Sequence, residues 1–400
     1  MSGTRFILAG SFIDGSGGEV RRNVFLTVQA GIIIAIGSAT DLPRHDGAEI
    51  VDFTHCTIVP ALVDCSVSLA RSPAVDIRVR IATEEAGQAE KTAMVEKHIL
   101  YCHAHGVLGV ADSDASTDLK ELFQQGAPPA GSIIDIRTAG RVCRTGQDCP
   151  SNNPAAADFL KIGYSNNIED QESSSPRLNH EDLCNILQHR GDKKRVVVAN
   201  GRQQVEEALG AGCDAIEQGY AMGEDNLRKM AEMGVLWIPS VLRAKNALVN
   251  ASSGGDVCCR FSGRYVAPGK ADPGAEIFFK KMLAEQLSQL RLARKLGVTT
   301  AVGTGAGSVG ILHGESMVEE MKLFIKAGYS LAETIQCASE KGARFFNMEN
   351  LGTLTVGRQA TFLISRGGVS QLPRKLSYLE SIYVDGAPST TYRKNPVIKM

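Results

Sequence analysis

The feature that most constrains the fold is a repeated alternation of short apolar runs and helical segments between about residues 61 and 347. One helix is predicted from about Asn179 to His189, before the apolar run at 195–199. A longer helix is predicted from about Ala275 to Leu296, before the run at 298–302. Repeated βα units predict a parallel sheet, and about eight of them predict a closed (β/α)8 TIM barrel.

The two ends of the chain show a different pattern. Residues 4–60 contain short apolar runs separated by Gly and Asp, and similar short runs return after about residue 351. This spacing is typical of an all-β sandwich. We therefore expect an α/β fold in which the barrel, residues 61–349, is inserted into a small composite β-sandwich domain formed by residues 1–60 and 350–400.

Two connections within the barrel region are unusually long. Residues 165–179 form a polar stretch, and residues 249–274 form a stretch rich in Gly and Ser that contains Cys258 and Cys259. Both follow predicted barrel strands, whose carboxyl ends carry the sites of barrel enzymes. The two loops either cover a pocket or decorate the surface, and the sequence leaves both interpretations open.

Composition excludes several classes of protein. The chain has 43 basic and 44 acidic residues and a formal charge of −1, so we expect neither nucleic acid nor an anionic membrane surface as a partner. No apolar stretch reaches membrane-spanning length, and the N-terminus lacks a secretory pattern. The ten cysteines form no Cys-x-x-Cys pair, which predicts free thiols and a cytoplasmic protein.

Several short motifs follow one another in order along nearly the whole chain. They are G-S-F-I-D-G at 10–15, T-I-V-P-A-L-V-D at 57–64, A-D-F-L-K-I at 157–162, A-L-G-A-G-C-D-A-I-E at 208–217, G-V-L-W-I-P-S at 234–240 and L-G-T-L-T-V-G-R-Q-A-T at 351–361. In this order they resemble the amidohydrolase superfamily, in its imidazolonepropionase and Xaa-Pro dipeptidase-like branch. The resemblance implies the fold described above and a metal-dependent hydrolase site.

The resemblance also implies a ligand set for one or two metal ions, and this chain departs from it. The family's His-x-His pair on the first barrel strand, lysine on the fourth, histidines on the fifth and sixth and aspartate on the eighth correspond here to Ser66, Ser68, Lys161, Val198, Gln218 and Gly305. A further family histidine on the fifth strand corresponds to Asn200. Only Lys161 is retained.

These replacements remove the chemistry that holds a metal. Zinc and related ions need three or four imidazole, thiolate or carboxylate ligands, and magnesium or calcium sites need carboxylates. Hydroxyls, a carboxamide, an aliphatic side chain and a glycine form no such chelate. We therefore expect no metal and no other cofactor. A thiolate site formed by Cys65, Cys143 and Cys149 is an alternative without recognisable ligand spacing.

Lys161 is the one candidate catalytic residue. We expect it to point into the barrel mouth, where Ser66, Ser68 and Gln218 could act as neutral acceptors. Burial without a carboxylate partner would favour the neutral amine, which can act as a base or as a Schiff-base nucleophile. The alternative interpretation is a vestigial lysine satisfied by hydroxyls or water.

The remaining candidates have structural interpretations. His103 and His105 lie on one predicted helix about 200° apart, so they are not expected to bind one ion together. His313 is expected to order the last barrel loop. Asp64 and Glu217 are expected to face away from the lumen and to fix strands to helices.

Two classes of function remain. The first is an amidohydrolase-fold pseudoenzyme that has lost metal-dependent hydrolysis and serves a binding, structural or assembly role. It would form a homo-oligomer or a heteromeric complex, with room for a small-molecule ligand at the barrel mouth. The alternative is an amidohydrolase-related enzyme that acts on C–N bonds through a non-standard or metal-free site centred on Lys161.

Overall fold

The computed structural model describes most of the chain. The described residues are 4–43, 49–114, 119, 133–144, 157–166, 168, 178–188, 191–253 and 273–392. The two predicted long loops fall largely outside these ranges, as do Cys149, Cys258 and Cys259.

In this part of the chain the strands and helices alternate as the sequence predicts. The strands are β1 (Arg5–Phe12), β2 (Arg21–Gln29), β3 (Ile32–Ser38), β4 (Glu49–Pro60), β5 (Leu62–Val67), β6 (Val107–Asp114), β7 (Asp135–Arg141), β8 (Leu160–Gly163), β9 (Arg195–Ala199), β10 (Ala215–Gln218), β11 (Leu236–Ile238), β12 (Phe362–Arg366), β13 (Leu379–Val384) and β14 (Ala387–Pro388). The α-helices are α1 (Ile77–Glu85), α2 (Gln88–Ala104), α3 (His180–Gln188), α4 (Arg202–Gly210), α5 (Glu224–Met233), α6 (Val241–Ser253), α7 (Pro273–Leu296), α8 (Ser316–Lys326), α9 (Leu331–Cys337) and α10 (Glu340–Phe345).

Both ends of the described chain contribute to one seven-stranded sheet. Its order is β14-β13-β12-β4-β1-β2-β3, and the antiparallel pairing of β12 with β4 joins the C-terminal strands to the N-terminal ones. The face of this sheet buries Ile7, Phe12, Ile58 and Phe362, and the ring of Phe362 stacks on that of Tyr383. Burial of such apolar faces is the main favourable contribution to folding. The exact domain bounds, 1–60 with 350–400 and 61–349, stay a prediction.

Parallel strands between these ends form the barrel. β5, β6 and β7 make one parallel sheet, and β8, β9, β10 and β11 make another. The two sheets meet where Cys143 N donates to Lys161 O at 2.9 Å and Gly163 N donates to Cys143 O at 2.8 Å. The carboxyl ends of β7 and β8 therefore lie side by side.

Residues 299–306 complete the ring of parallel strands on the other side. Trp237 N donates to Thr299 O at 2.9 Å, which places this segment beside β11. Gly305 N donates to Ser66 O at 2.9 Å, which places the same segment beside β5. The architecture is a TIM barrel with an added β-sandwich domain, as predicted.

Local signals explain where the helices begin and end. α3 begins after Asn179, whose Oδ1 accepts from Asp182 N at 2.8 Å, an N-cap that satisfies an otherwise unpaired donor. α5 ends at Gly234, whose φ of +67° places it in the left-handed conformation that glycine adopts without a Cβ clash. The predicted helices near 179–189 and 275–296 are confirmed to within about two residues.

Two further features concern the described cysteines and helices. Seven cysteines are described and all are free, and each of them except Cys184 is buried. No helix in the described ranges is both long and apolar enough to cross a membrane.

Candidate functional site

A small cavity of about 60 Å³, called the inner cavity below, lies at the carboxyl ends of the barrel strands. Five of the predicted site positions line it: Ser66, Ser68, Lys161, Val198 and Gly305. The backbone hydrogen bonds of β5, β8, β9 and the segment 299–306 bring these positions together. The placement of Lys161 at the barrel mouth follows the prediction, whereas its surroundings do not.

Glu217 faces the lumen, and the prediction that it faces away is wrong. Its Oε2 lies 2.7 Å from Lys161 Nζ, and its Oε1 accepts from Ser66 Oγ at 2.8 Å. The physical reason is register. Glu217 pairs directly with Val198 in the parallel ladder, and residues that pair across neighbouring strands share a face. Since Val198 lines the cavity, Glu217 must do so too.

Lys161 is therefore not solvated by neutral acceptors. Its ammonium has a buried carboxylate partner, and only 10% of its side chain and 2% of that of Glu217 are exposed. Ser68, also expected to solvate the lysine, instead donates its hydroxyl to Asp114 Oδ2 at 2.5 Å. The amine of Lys161 is therefore held by a protein carboxylate rather than by hydroxyls.

Gln218 and Asn200 do not line the inner cavity, which corrects two predicted positions. Gln218 has a φ of +70°, so the strand alternation that would have pointed it inward is broken at this residue. Its Oε1 accepts from Asn200 Nδ2 at 2.9 Å. Asn200 lines a second, adjoining cavity of about 470 Å³, together with Tyr220 and Phe278. Ser165 lines both cavities.

Asp64 does not line the inner cavity: it pairs with Val110 in the parallel ladder, and the register shifts between Asp64 and Val67, so Asp64 and Ser66 do not follow simple alternation. Its carboxylate accepts from Thr304 N at 2.9 Å and from Thr304 Oγ1 at 2.5 Å. The expectation that it fixes a strand to a helix is wrong, since it joins β5 to the segment 299–306. Burial raises the pKa of Asp64 to about 6, against the opposing effect of the Thr304 hydrogen bonds.

Arginines at the rim of the cavity are the residues that sequence reasoning missed. Arg71, Arg144 and Arg243 all line the inner cavity. Each follows a barrel strand by a few residues, and that position is the signal that could have identified them.

Arg243 occupies the space next to Gly305. A Cβ added to Gly305 would lie 2.5 Å from Arg243 Nε and 3.1 Å from its Cζ, so a side chain at this position requires the guanidinium to move. The φ of Gly305 is +74°, which strains any other residue. An aspartate at position 305 therefore does not fit this arrangement.

The histidines have structural roles. His103 Nε2 contacts Ser389 Oγ at 3.0 Å and His105 Nδ1 contacts Tyr101 O at 2.8 Å, so the two imidazoles have separate partners. His313 Nε2 contacts Ser68 O at 3.0 Å and its ring stacks on His98 with centroids 3.8 Å apart. His313 thus ties the loop after the eighth barrel position to the end of β5, in line with the role predicted for it.

These features define a (β/α)8-barrel protein with a cavity at the carboxyl ends of its strands. The chain belongs to the amidohydrolase family, whose family model matches residues 53–394. No curated protein sequence matches the chain at the significance level applied.

Solved structures share this fold at low sequence identity. A Xaa-Pro dipeptidase with bound methionine in the active site is 20% identical, with a TM-score of 0.77 over 96% of this chain and 99% of that one. The ochratoxinase of A. niger is 16% identical, with a TM-score of 0.76 over 97% of this chain and 95% of that one. At these identities the similarity concerns the fold.

The family's metal site does not fit the residues of this cavity. Among the described residues no group of three or more His, Cys, Asp or Glu side chains is arranged to hold a metal ion. Lys161 and Glu217 bind each other, and Arg243 fills the space beside Gly305. The thiolate alternative fits no better, because burial raises the pKa of Cys65 well above its usual value and its Sγ lies against Gly342 of α10.

Proposed function

We propose that this chain is an amidohydrolase-family pseudoenzyme, without metal-dependent hydrolysis, that serves a binding, structural or assembly role. The observation that carries the proposal is the pairing of Lys161 with Glu217 at 2.7 Å in the inner cavity. In the family's pattern this lysine position contributes to a metal site, whereas here its ammonium is held by a protein carboxylate.

Electrostatics supports the same proposal. A divalent cation in the inner cavity would lie near the Lys161 ammonium and the Arg243 guanidinium, and like charges a few ångströms apart repel strongly at low dielectric. Without a bound metal there is no metal-activated hydroxide, which supplies the nucleophile in metal-dependent hydrolysis.

Zinc titration tests this proposal. Protein purified without an affinity tag is treated with chelator, dialysed and titrated with zinc by calorimetry, with metal content measured in parallel. We expect no saturable heat and less than about a tenth of an equivalent of transition metal. Tight binding of one or two equivalents of zinc would contradict the proposal.

The alternative function is an enzyme that acts on C–N bonds through Lys161. It is favoured by the position of Lys161 on the lining of the cavity and by the hydrolases among the structural neighbours, a Xaa-Pro dipeptidase and an ochratoxinase. The Glu217 contact disfavours it, because the Lys161 amine is already held by a buried carboxylate at 2.7 Å. Borohydride reduction in the presence of carbonyl compounds, followed by mass spectrometry, should show no adduct at Lys161; an adduct there would support the enzyme.

An assembly role carries a further expectation. We propose a cytoplasmic homo-oligomer or a stable heteromeric complex, because a fold that has lost its chemistry persists most simply as part of an assembly. Sedimentation of the protein purified from its own source tests this. A monomer at micromolar concentration, without a co-purifying protein, would argue against it.

A further inference from the structure

The inner cavity has more basic than acidic groups on its lining. Among the described lining residues, Arg71, Arg144, Lys161 and Arg243 are basic, and Asp114 and Glu217 are acidic. Lys161 and Glu217 neutralise each other at 2.7 Å. Asp114 lies 3.9 Å from Arg71 Nε and also accepts from Ser68 Oγ at 2.5 Å. Basic residues therefore outnumber acidic ones on the described lining, four to two.

Arg144 carries an unused hydrogen-bond donor in the described part of the chain. Its Nε is buried and has no hydrogen-bond partner within the described part of the chain. The side chain passes over Gly163 at the end of β8, where a Cβ would lie 3.2 Å from Arg144 Cγ. A buried guanidinium donor without a partner costs free energy unless a ligand accepts from it.

Size and surrounding hydroxyls restrict the ligand. A water molecule needs roughly 10–15 Å³ of such a cavity, so a volume of about 60 Å³ admits about four waters or one small oxyanion. Ser113 and Ser308 add hydroxyl groups to the lining. Guanidinium forks and hydroxyls are the donors that recognise carboxylate, phosphate and sulfate oxygens.

We infer that the inner cavity is an anion site, in which Arg144 and Arg71 bind a small oxyanion where the family's pattern holds cations. The bound group is a free oxyanion such as phosphate or sulfate, or the carboxylate of a small ligand. This inference rests on the proposed metal-free state, in which no cation shares the cavity with the anion.

The test is calorimetric titration of the chelator-treated full chain with sodium phosphate, sulfate and acetate, at ionic strength held constant with sodium chloride. Wild type should bind at least one of them saturably at one site. Arg144→Gln should weaken that binding about tenfold, and Arg71→Gln should weaken it less because Arg71 is 42% exposed and lies near Asp114. Arg228→Gln, which removes an arginine paired with Glu224 on the exposed face of α5, should leave it unchanged.

Arg144→Lys keeps the site testable if Arg144→Gln does not fold. It retains the charge but loses the planar fork, so we expect a smaller loss, about threefold. Phosphate or sulfate bound more tightly than acetate would identify a tetrahedral oxyanion, and the reverse order would identify a carboxylate.

Three results would overturn the inference. The first is that none of the three anions binds saturably. The second is that Arg144→Gln leaves the binding unchanged. The third is that Arg144→Gln, Arg71→Gln and Arg228→Gln all bind the anion equally well. Anion binding that disappears on chelation and returns with zinc would contradict both this inference and the proposed function. A flat zinc titration without anion binding would contradict this inference alone.

Discussion

Lys161 on β8 and Glu217 on β10 form a buried ion pair across the barrel mouth, with Nζ and Oε2 2.7 Å apart. Ser66 on β5 donates to the other carboxylate oxygen at 2.8 Å. Three barrel strands that are not adjacent to one another are therefore joined through one carboxylate. Because removing one partner of a buried pair leaves an uncompensated charge, the contact constrains both side chains.

The pair predicts a large asymmetry between single and double substitutions. Glu217→Gln keeps the shape and an acceptor for Ser66 but leaves the Lys161 ammonium buried without its counter-charge. We expect the free energy of unfolding to fall by about 3–5 kcal/mol in urea titrations, whereas Lys161→Met with Glu217→Gln should recover most of this loss.

An exposed pair supplies the control for this prediction. Lys229 and Glu206 lie 2.6 Å apart on the surfaces of α5 and α4. Glu206→Gln should leave the free energy of unfolding nearly unchanged, because solvent screens exposed charges. Equal losses at Glu206 and Glu217 would contradict the view that burial makes the inner pair sensitive.

Reconstruction of a metal site is predicted to fail while Arg243 remains. Ser66→His with Ser68→His should not bind zinc tightly, since two imidazoles are too few ligands. Adding Val198→His, Gln218→His and Gly305→Asp supplies the family's donor types, but an aspartate at 305 collides with the Arg243 guanidinium. We expect weak zinc uptake in this fivefold variant.

The comparison that isolates the cause is the same variant with Arg243→Ala added. Removing the guanidinium frees the space beside residue 305 and also takes away one positive charge that repels the metal ion. Zinc affinity should therefore rise at least tenfold in calorimetric titration. Little hydrolysis is expected in either variant. An unchanged affinity would show that Arg243 does not limit metal binding.

The sequence predicts the fold because periodicity and turn residues carry that information locally. The alternation of apolar runs and helices, Asn179 at a helix start and Gly234 at a helix end all appear in the structure as predicted. Strand and helix periods depend only on near neighbours in the chain. The placement of Lys161 at the barrel mouth follows from the same alternation.

The orientation of Glu217 and Gln218 is not accessible in this way. It depends on the pairing of Glu217 with Val198 across two strands and on the positive φ of Gln218, neither of which local periodicity specifies. The same holds for Arg243, whose contact with the Gly305 position depends on tertiary packing. The charge balance of the cavity is thus a property of the folded chain.

Thr304 is predicted to stabilise the closure of the barrel between β5 and residues 299–306. Thr304→Val removes the Oγ1 donor from the buried carboxylate of Asp64 without changing the size of the side chain. The loss should lower the free energy of unfolding by about 1–3 kcal/mol, measured in urea. Thr92→Val on α2, which removes a solvent-exposed hydrogen bond to Gln88 O, should cost under about 0.5 kcal/mol.

The stacked imidazoles of His98 and His313 predict a loss of stability in acid. Burial lowers the pKa of His98 to about 4 from an unfolded value of 6.5, and burial also lowers the pKa of His313. The unfolded chain therefore binds more protons below pH 6.5. The stability contributed by neutral His98 is complete above pH 6.5 and is lost as the pH falls toward 4, by about 3 kcal/mol in total.

Burial raises the pKa of Asp64 to about 6 and that of Asp112 to about 7, so these two groups make the folded state more stable as the pH falls. Both groups are present in wild type and in His98→Phe. The difference in stability between the two proteins therefore isolates the effect of His98. The phenyl ring keeps the stacking but not the hydrogen bond to Leu69 O, so the variant should be about 1 kcal/mol less stable at pH 8. As the pH is lowered from 7 to 4, the free energy of unfolding of His98→Phe should rise by about 3 kcal/mol relative to that of wild type. A constant difference between His98→Phe and wild type from pH 8 to pH 4 would contradict the prediction.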